Sequence, residues 1–216
     1  MEKTILYIHG MGGGGDSRIP SILKERLGDF LPESVSMNFI IRTYPFAPED
    51  GRRLISQWVD EYRPDIVIGE SMGAIHALAV KGLPHILVSP SLGAPRALTI
   101  LSALSVIPGM SRLFSKIWHP KEGDRQELIF DRKHLSGWMG SRKRALLNSP
   151  RCGGRDGFFA FFGKHDHYRR SGVVSVRKWI KYYGRDSYRL YDGTHFMEEE
   201  YIISMLIPKI IETAGI

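Results

Sequence analysis

The sequence predicts an α/β fold, a three-layer α/β/α sandwich around a mostly parallel sheet of six strands. Apolar segments of strand length alternate with amphipathic helical segments through most of the 216 residues. The apolar segments are nearly continuous in hydrophobic residues, which is typical of parallel strands covered on both faces. A chain of 216 residues that is 43% hydrophobic can bury one sizeable core but not two large ones. We therefore expect a single domain over residues 1–216.

Two strand and helix pairs open the chain. Residues 3–9 form an apolar run of strand length, and residues 19–30 place apolar side chains at helical spacing. Residues 34–44 repeat the strand pattern, and residues 49–62 repeat the helix pattern. Pro64 ends this second helix, because the residue before a proline avoids helical dihedral angles.

The middle of the chain continues the alternation and then interrupts it. Residues 65–69 are predicted to form the third strand, residues 74–82 a helix and residues 85–89 the fourth strand. Residues 93–156 then contain no clear strand, and we interpret them as a basic, mainly helical insertion with helices at 97–106 and 133–147. A gap of this length inside an α/β domain usually has a function or a fold of its own.

The alternation resumes after the insertion. Residues 158–162 and 187–191 are predicted to be the fifth and sixth strands. Residues 173–183 and 198–214 are predicted to be helices that cover them. Polar side chains that follow these strands are of interest, since active residues of parallel sheets gather beyond the carboxyl ends of the strands.

The composition and hydrophobic pattern limit the cellular location that we expect for the protein and exclude an internal disulfide. No secretory signal is visible at the start, and no stretch approaches the roughly 18 uninterrupted apolar residues of a membrane span. Cys152 is the single cysteine, which excludes an internal disulfide and fits a reducing, cytoplasmic setting. We expect a protein without a membrane span, and the sequence leaves the oligomeric state open.

The positive charge lies in one segment. The chain has a net charge of +7, and residues 93–156 alone hold 12 Lys and Arg against 5 Asp and Glu. Such a segment could receive an anionic substrate, contact anionic lipid or simply form a solvated face. The charge pattern by itself does not decide among these interpretations, and a nucleic-acid partner is disfavoured.

A Gly-x-Ser-x-Gly motif at residues 69–73 joins the third strand to the helix after it. In this context the serine lies in a sharp strand-to-helix turn that exposes its hydroxyl. Gly69 and Gly73 lack the Cβ atoms that would obstruct the crossing chains. The motif therefore predicts Ser71 as a catalytic nucleophile, against the alternative of a tight turn that happens to contain serine.

A glycine-rich loop follows the first strand at residues 9–17. A phosphate-binding loop would need a Lys and a Ser or Thr to close the glycines, and a dinucleotide site would need a helix to begin at once. The sequence meets neither requirement in full. His9 and Gly10 instead suit a loop that donates a backbone N–H to an oxyanion. We expect the oxyanion donors to be the N–H groups of Met11 and Met72.

Two further strand ends supply a base and an acid. A serine hydroxyl needs a base to remove its proton and an acid to orient that base. His195 follows the sixth strand in a glycine-containing loop, and Asp166 follows the fifth. We therefore predict His195 as the base and Asp166 as the acid. His165 and His167 could substitute for either role or bind a metal, but no third ligand is evident, so no metal is predicted. Asp192 is better explained as a turn residue.

The ordered set of His9-Gly10, the motif at 69–73, Gly163-x-x-Asp166 and Gly193-x-His195 resembles the α/β-hydrolase superfamily. The chain is similar to the small single-domain bacterial esterase-like members. The resemblance implies the strand order 2-1-3-4-5-6 and no cofactor. It also implies that the insertion at 93–156 forms a lid over the nucleophile.

The predicted activity is that of a serine hydrolase that cleaves a carboxylic ester through an acyl-enzyme. The partner is a small-molecule ester, which could be anionic. Substrate contacts are expected from His9, Gly10, Arg142 and Arg144. The same triad could serve an acyltransferase or a thioesterase. A non-catalytic binding protein with a basic arm is the alternative from a different class.

Overall fold

The computed structural model describes residues 1–118 and 122–216. Its sheet contains the strands β1 Glu2–Ile8, β2 Ser36–Ile41, β3 Ile66–Glu70, β4 His85–Val88, β5 Phe158–Gly163 and β6 Tyr188–Tyr191. All neighbouring strands are parallel, and their order is β2-β1-β3-β4-β5-β6. The predicted fold class and strand order are confirmed.

Helices connect and cover the strands. They are α1 Arg18–Arg26, α2 Pro48–Tyr62, α3 Ala74–Ala77, α4 Ala94–Leu104, α5 Met110–Ile117, α6 Arg132–Ser136, α7 Trp138–Leu147, α8 Val176–Tyr183, α9 Glu199–Tyr201 and α10 Ile207–Ala214. A π-helical turn at Ile202–Leu206 joins α9 to α10. No helix in the described residues combines the length and apolarity needed to cross a bilayer.

The sheet is buried on both faces. Along β1, Leu6 and Ile8 face one hydrophobic cluster, while Ile5 and Tyr7 face the other. This alternation follows from the two-residue period of a strand. Side chains of α2, α3 and α8 belong to the first cluster, and side chains of α1 and α10 belong to the second. The result is the predicted three-layer arrangement.

The segment between β4 and β5 packs against the sheet domain through aromatic side chains. Trp138 at the start of α7 is fully buried, with its ring centroid 5.1 Å from that of His76 and 5.7 Å from that of Phe46. Leu98, Phe114 and Phe130 of the same segment join the first hydrophobic cluster. The predicted boundaries of this segment, 93–156, include residues 119–121, which lie outside the described part of the chain.

Several predicted helices differ from those of the structure. The helix after the serine motif ends at Ala77 rather than at residue 82. Beyond it, the Asn148 side chain donates to the carbonyls of Leu78 and Val80, and the Asp156 carboxylate accepts the Gly82 N–H. In a longer helix the Leu78 carbonyl and the Gly82 N–H would have bonded to each other. The helix predicted over 133–147 is divided at Gly137, where a Cβ would lie 2.7 Å from Pro48 Cγ.

The closing helix shows a third difference. Its π-helical turn directly precedes α10, whose second residue is Pro208. Proline lacks an N–H group, and its ring crowds the carbonyl four residues earlier. A wider turn relieves that crowding and keeps the predicted helix running to Ala214. Helix α5 was not predicted, although its apolar residues Met110, Leu113, Phe114 and Ile117 recur at helical spacing.

Candidate active site

Ser71 occupies a strained turn between β3 and α3. It begins a short 3₁₀ helix, Ser71–Gly73, and its φ of 50° lies in the left-handed region. A residue other than glycine adopts this conformation at a cost, and such residues cluster at functional sites. A Cβ on Gly73 would lie 2.1 Å from the His9 carbonyl oxygen, and one on Gly69 would lie 2.6 Å from Ala77 Cβ. The crossing chains therefore require both glycines.

The structure brings Ser71, His195 and Asp166 together from three different strand ends. His195 Nε2 lies 2.9 Å from Ser71 Oγ, and His195 Nδ1 lies 2.7 Å from Asp166 Oδ2. His195 is 2% exposed and Asp166 is 3% exposed. A carboxylate beside Nδ1 keeps the proton on that nitrogen, which leaves Nε2 free to accept a proton from the hydroxyl.

Close contacts between two loops set the position of His195. A Cβ on Gly163, at the end of β5, would lie 2.0 Å from the Thr194 carbonyl oxygen. The Glu198 carboxylate accepts from the Thr194 N–H at 3.0 Å and from its hydroxyl at 2.8 Å. Burial acts to raise the pKa of Glu198, but these hydrogen bonds bring the pKa below its usual value. The charged Glu198 thus braces the histidine loop.

Neighbouring groups orient Asp166 and shield the imidazole. The second carboxylate oxygen of Asp166 accepts the Tyr168 N–H at 2.8 Å, at the start of the 3₁₀ helix His167–Arg169. The Tyr168 ring lies edge-on to His195 at 4.7 Å between centroids, and the Phe196 ring at 5.2 Å. The aromatic surroundings limit the access of water to the buried pair.

His9 is buried beneath the glycine loop. Its Nδ1 lies 2.8 Å from the Gly10 carbonyl, its ring stacks on Tyr44 at 4.4 Å, and its carbonyl accepts from the Tyr44 hydroxyl at 2.7 Å. Burial lowers the pKa of His9 to about 4, so its ring is neutral at pH 7. Through these contacts His9 packs against the glycine loop and supports it at Gly10. Gly10 borders Ser71, since a Cβ there would lie 3.1 Å from Ser71 Cβ.

Met11 and Met72 are the residues predicted to donate N–H groups to the oxyanion. Met72 follows Ser71 in the 3₁₀ helix, and Met11 follows Gly10, which lies against Ser71. The Gly13 N–H donates to the Gly10 carbonyl at 3.0 Å, and Gly12 has a φ of 72°, as in a type II turn with Met11 at its second position. Within the described residues, the N–H of Met11 has no hydrogen-bond acceptor.

Sequence reasoning missed two polar contacts at the serine motif. Ser91 Oγ lies 3.2 Å from Ser71 Oγ, and the Ser91 N–H donates to the Ser71 carbonyl at 2.9 Å. The position of Ser91 beyond the end of β4, the strand next to β3, is the sequence signal that could have predicted this contact.

The second contact lies at the start of the motif, where the Tyr7 hydroxyl donates to Glu70 at 2.7 Å. Burial raises the pKa of Glu70, although this hydrogen bond and the charge of His195 act in the opposite direction.

Of the alternative titratable residues, the His167 ring lies 6.2 Å from that of His195 between centroids, whereas His165 and Asp192 pair with each other. His165 Nε2 is 3.1 Å from Asp192 Oδ1, and both side chains are exposed. Asp192 therefore pairs with His165 and not with His195. In residues 1–118 and 122–216, no group of three or more His, Cys, Asp or Glu side chains is placed to bind a metal ion.

The two arginines expected to contact substrate have different surroundings. The Arg144 guanidinium pairs with the Glu49 carboxylate and donates to Ser141 Oγ at 3.1 Å. Arg142 is half-buried, and its Nε has no acceptor among the described residues. Burial and the nearby charge of Arg96 lower the pKa of Arg142. Neither guanidinium hydrogen-bonds to the triad as the structure describes it.

Solved structures with the same architecture are known. A monoacylglycerol lipase of Paleococcus ferrophilus has a TM-score of 0.63 at 14% identity, covering 98% of this chain and 93% of that one. Est1E of Butyrivibrio proteoclasticus, solved with ferulic acid, has a TM-score of 0.61 at 14% identity, with coverages of 99% and 90%. FphF, a fluorophosphonate-binding serine hydrolase of Staphylococcus aureus, has a TM-score of 0.58 at 12% identity, with coverages of 98% and 83%.

Comparisons by sequence give no family. No protein-family model matches the chain, and no curated protein matches it significantly. At identities of 12–14%, the structural similarity shows the fold alone. That fold is the one predicted from the ordered motifs.

Proposed function

We propose that this chain, which has the α/β-hydrolase fold, is a serine hydrolase that cleaves a carboxylic ester through an acyl-enzyme. The observation that carries the proposal is the continuous chain of hydrogen-bond distances from Asp166 through His195 to Ser71, at 2.7 and 2.9 Å. A hydroxyl, a base and a buried acid in this order are the components that activate a serine. The name of one structural neighbour, a monoacylglycerol lipase, also supports action on an ester.

In the proposed reaction, Ser71 Oγ attacks the ester carbonyl carbon while its proton passes to His195 Nε2. Asp166 keeps the imidazole oriented and stabilises its positive charge. The tetrahedral oxyanion is bound by the N–H groups of Met11 and Met72. Removing one such donor typically reduces turnover by about 10² to 10³.

The tetrahedral species then collapses and expels the alcohol, which takes the proton from His195. This leaves an ester between the acyl group and Ser71. A water molecule attacks the acyl carbon with His195 again accepting a proton. Return of that proton to Ser71 Oγ releases the carboxylic acid and restores the free enzyme.

The insertion at 93–156 is proposed to cover the site as a lid. One position along the chain and one contact support this role. Helix α4 begins only three residues after Ser91, and a Cβ on Gly14 would lie 1.5 Å from the Asp124 carbonyl oxygen of the insertion. The insertion therefore lies directly against the glycine loop. Exclusion of water by such a cover strengthens electrostatic interactions at the reacting carbonyl.

A fluorophosphonate probe tests the proposal, because it phosphonylates an activated serine. We expect the wild type to be labelled and Ser71→Ala and His195→Ala to lose labelling, with Ser91→Ala as the control for the neighbouring hydroxyl. Hydrolysis of p-nitrophenyl esters should be lost in the same two variants. A folded wild type that does not react, or labelling that persists in Ser71→Ala, would overturn the proposal and favour a non-catalytic binding protein.

A further inference from the structure

Gln126 is a buried polar residue that the proposed reaction does not use. It lies in the insertion between β4 and β5 and is 1% exposed. Its backbone N–H donates to the Gly13 carbonyl at 2.7 Å. Its side chain accepts the Gly12 N–H at 3.2 Å through Oε1 and donates to the Tyr44 carbonyl at 3.0 Å through Nε2. One residue of the insertion thus makes two hydrogen bonds to the glycine loop.

The residues before Gln126 add further ties to the same loop. Asp124 accepts the Thr43 hydroxyl at 2.7 Å, and that hydroxyl accepts the Gly15 N–H at 3.2 Å. The Arg125 guanidinium lies 3.0 Å from the Asp16 carboxylate. We name residues 123–126 the clamp segment. Because its contacts extend from Gly12 to Asp16, the clamp segment restrains most of the glycine loop.

Met11 lies between two restrained neighbours. On one side, Gly10 lies against Ser71, where a Cβ would be 3.1 Å from Ser71 Cβ. On the other side, the Gly12 N–H is fixed by Gln126. The Met11 N–H belongs to the Gly10–Met11 peptide, whose carbonyl accepts the Gly13 N–H at 3.0 Å. Its direction therefore depends on the turn at residues 10–13, which Gln126 holds through the Gly12 N–H and the Gly13 carbonyl. Without the Gly12 hydrogen bond this glycine-rich turn could shift as a whole, since glycine allows many backbone conformations.

The hydrogen bond from Gln126 to the Tyr44 carbonyl restrains the glycine loop at a second point. Gln126 fixes the Tyr44 carbonyl, and the Tyr44 hydroxyl donates to the His9 carbonyl at 2.7 Å. His9 is the residue at which the chain leaves β1 and enters the glycine loop. The Gln126 amide therefore connects the start of the loop, through Tyr44, with its turn at Gly12.

We propose that Gln126 is a positioning residue that fixes the glycine loop so that the Met11 N–H points at the oxyanion. The inference rests on the proposed function, and it extends that function by giving the insertion a part in stabilising the transition state. An amide suits this place because it accepts on one side and donates on the other. A carboxylate would accept from Gly12 but repel the Tyr44 carbonyl, whereas a neutral carboxylic acid could make both bonds.

The experiment compares the wild type with Gln126→Met, which keeps the volume without hydrogen bonds, and with Gln126→Glu. We expect Gln126→Met to lower kcat on a p-nitrophenyl ester by about 10- to 100-fold with KM within about twofold, since a misplaced donor fails chiefly in the transition state. The inhibition constant of phenylboronic acid, which forms a tetrahedral adduct on the serine, should rise by a similar factor.

Gln126→Glu provides a pH signature that a purely structural role would not give. Burial raises the pKa of a carboxyl group, so the introduced group should be ionised at pH 8.5 and increasingly neutral toward pH 6. We expect the ratio of variant to wild-type kcat to rise as the pH falls. A ratio that stays flat or falls would overturn the proposal, as would a loss confined to KM or to thermal stability.

Two controls distinguish a failure of the proposed function from a failure of the proposed role of Gln126. Hydrolysis by the wild type that disappears in Ser71→Ala establishes the proposed function independently of Gln126. If the wild type shows no such hydrolysis, the proposed function fails and the role of Gln126 fails with it. If the Gln126 variants do not fold, Thr43→Val removes the exposed tie to Asp124. It should lower kcat about two- to fivefold at constant KM, and an unchanged kcat would overturn the proposal.

Discussion

The Ser91 hydroxyl lies 3.2 Å from the Ser71 hydroxyl, which also lies 2.9 Å from His195 Nε2. Either serine hydroxyl could donate in the first contact, and the Ser91 hydroxyl can also donate to the Ser89 carbonyl at 3.3 Å. When Ser91 donates to Ser89, Ser71 has one hydroxyl proton and two neighbouring acceptors. In the proposed reaction, only the bond to His195 prepares the oxygen for attack. The resting site therefore divides the Ser71 proton between a productive and an unproductive partner.

The first prediction concerns this competition. Ser91→Ala removes the unproductive acceptor, so fluorophosphonate labelling should proceed at the wild-type rate or up to about threefold faster. Labelling rates at a series of probe concentrations would measure the effect. A drop of more than tenfold would show instead that the Ser91 hydroxyl assists the reaction.

The second prediction concerns Asp166. Its two oxygens accept from His195 Nδ1 and from the Tyr168 N–H, so Asp166→Asn preserves the shape but presents an amide to the imidazole. The imidazole should then adopt the wrong tautomer, and kcat should fall by about 10³ to 10⁴. Asp192→Asn is the matched control, because Asp192 pairs with His165 on the surface, and its kcat should stay near that of the wild type. Equal losses in the two variants would contradict the assignment of the acid.

Much of the fold could be predicted because its signals are local. The apolar runs, the alternation of strands and helices, and the exit of β3 into Gly69 to Gly73 lie in short stretches of sequence. Helix ends were less predictable. The end of α3 at Ala77 depends on the side chain of Asn148, which is 71 residues further along the chain. Local propensity contains no information about such a distant partner.

The residues of the candidate site also differ in how well the sequence predicts them. Ser71, Asp166 and His195 each follow a predicted strand, so topology alone directs them to one edge of the sheet. Gln126 follows no strand and belongs to no motif, and it reaches Gly12 across 114 residues. Only the three-dimensional path of the insertion shows that contact. Arg144 is predicted to contact substrate, and its pair with Glu49 is a further contact that the sequence does not indicate.

The third prediction is a loss of stability in acid caused by buried histidines. Burial lowers the pKa of His9 to about 4 and that of His76 to about 3, from an ordinary value of 6.5. Between pH 6.5 and 4 the unfolded chain binds protons that the folded chain excludes. The free energy of unfolding should therefore be highest above pH 6.5 and should fall as the pH drops. His76 alone contributes a loss of about 3 kcal/mol by pH 4.

His76→Phe tests this prediction by chemical denaturation at several pH values. The His76 ring lies against Tyr44 and Trp138, and its Nε2 has no partner in the described residues, so a phenyl ring is a suitable replacement. The slope of the free energy of unfolding between pH 6 and 4 should decrease by up to about 1.4 kcal/mol per pH unit. His165→Gln, at an exposed histidine, should retain the wild-type slope. Equal slopes in all three proteins would exclude His76 as a cause.

The last prediction is that Arg142, unlike the neighbouring Lys143 and Arg144, recognises the charge of an anionic substrate. Arg142 has no carboxylate partner in the described residues, and burial and nearby Arg96 lower its pKa. An anionic group bound there would relieve this repulsion, so Arg142→Ala should raise KM for an anionic ester about tenfold and leave a neutral ester of equal length unaffected. Arg144→Ala and Lys143→Ala should leave the ratio of the two KM values unchanged, because Arg144 already pairs with Glu49 and Lys143 is exposed. Equal changes on both esters would show that Arg142 supports packing rather than recognition of charge.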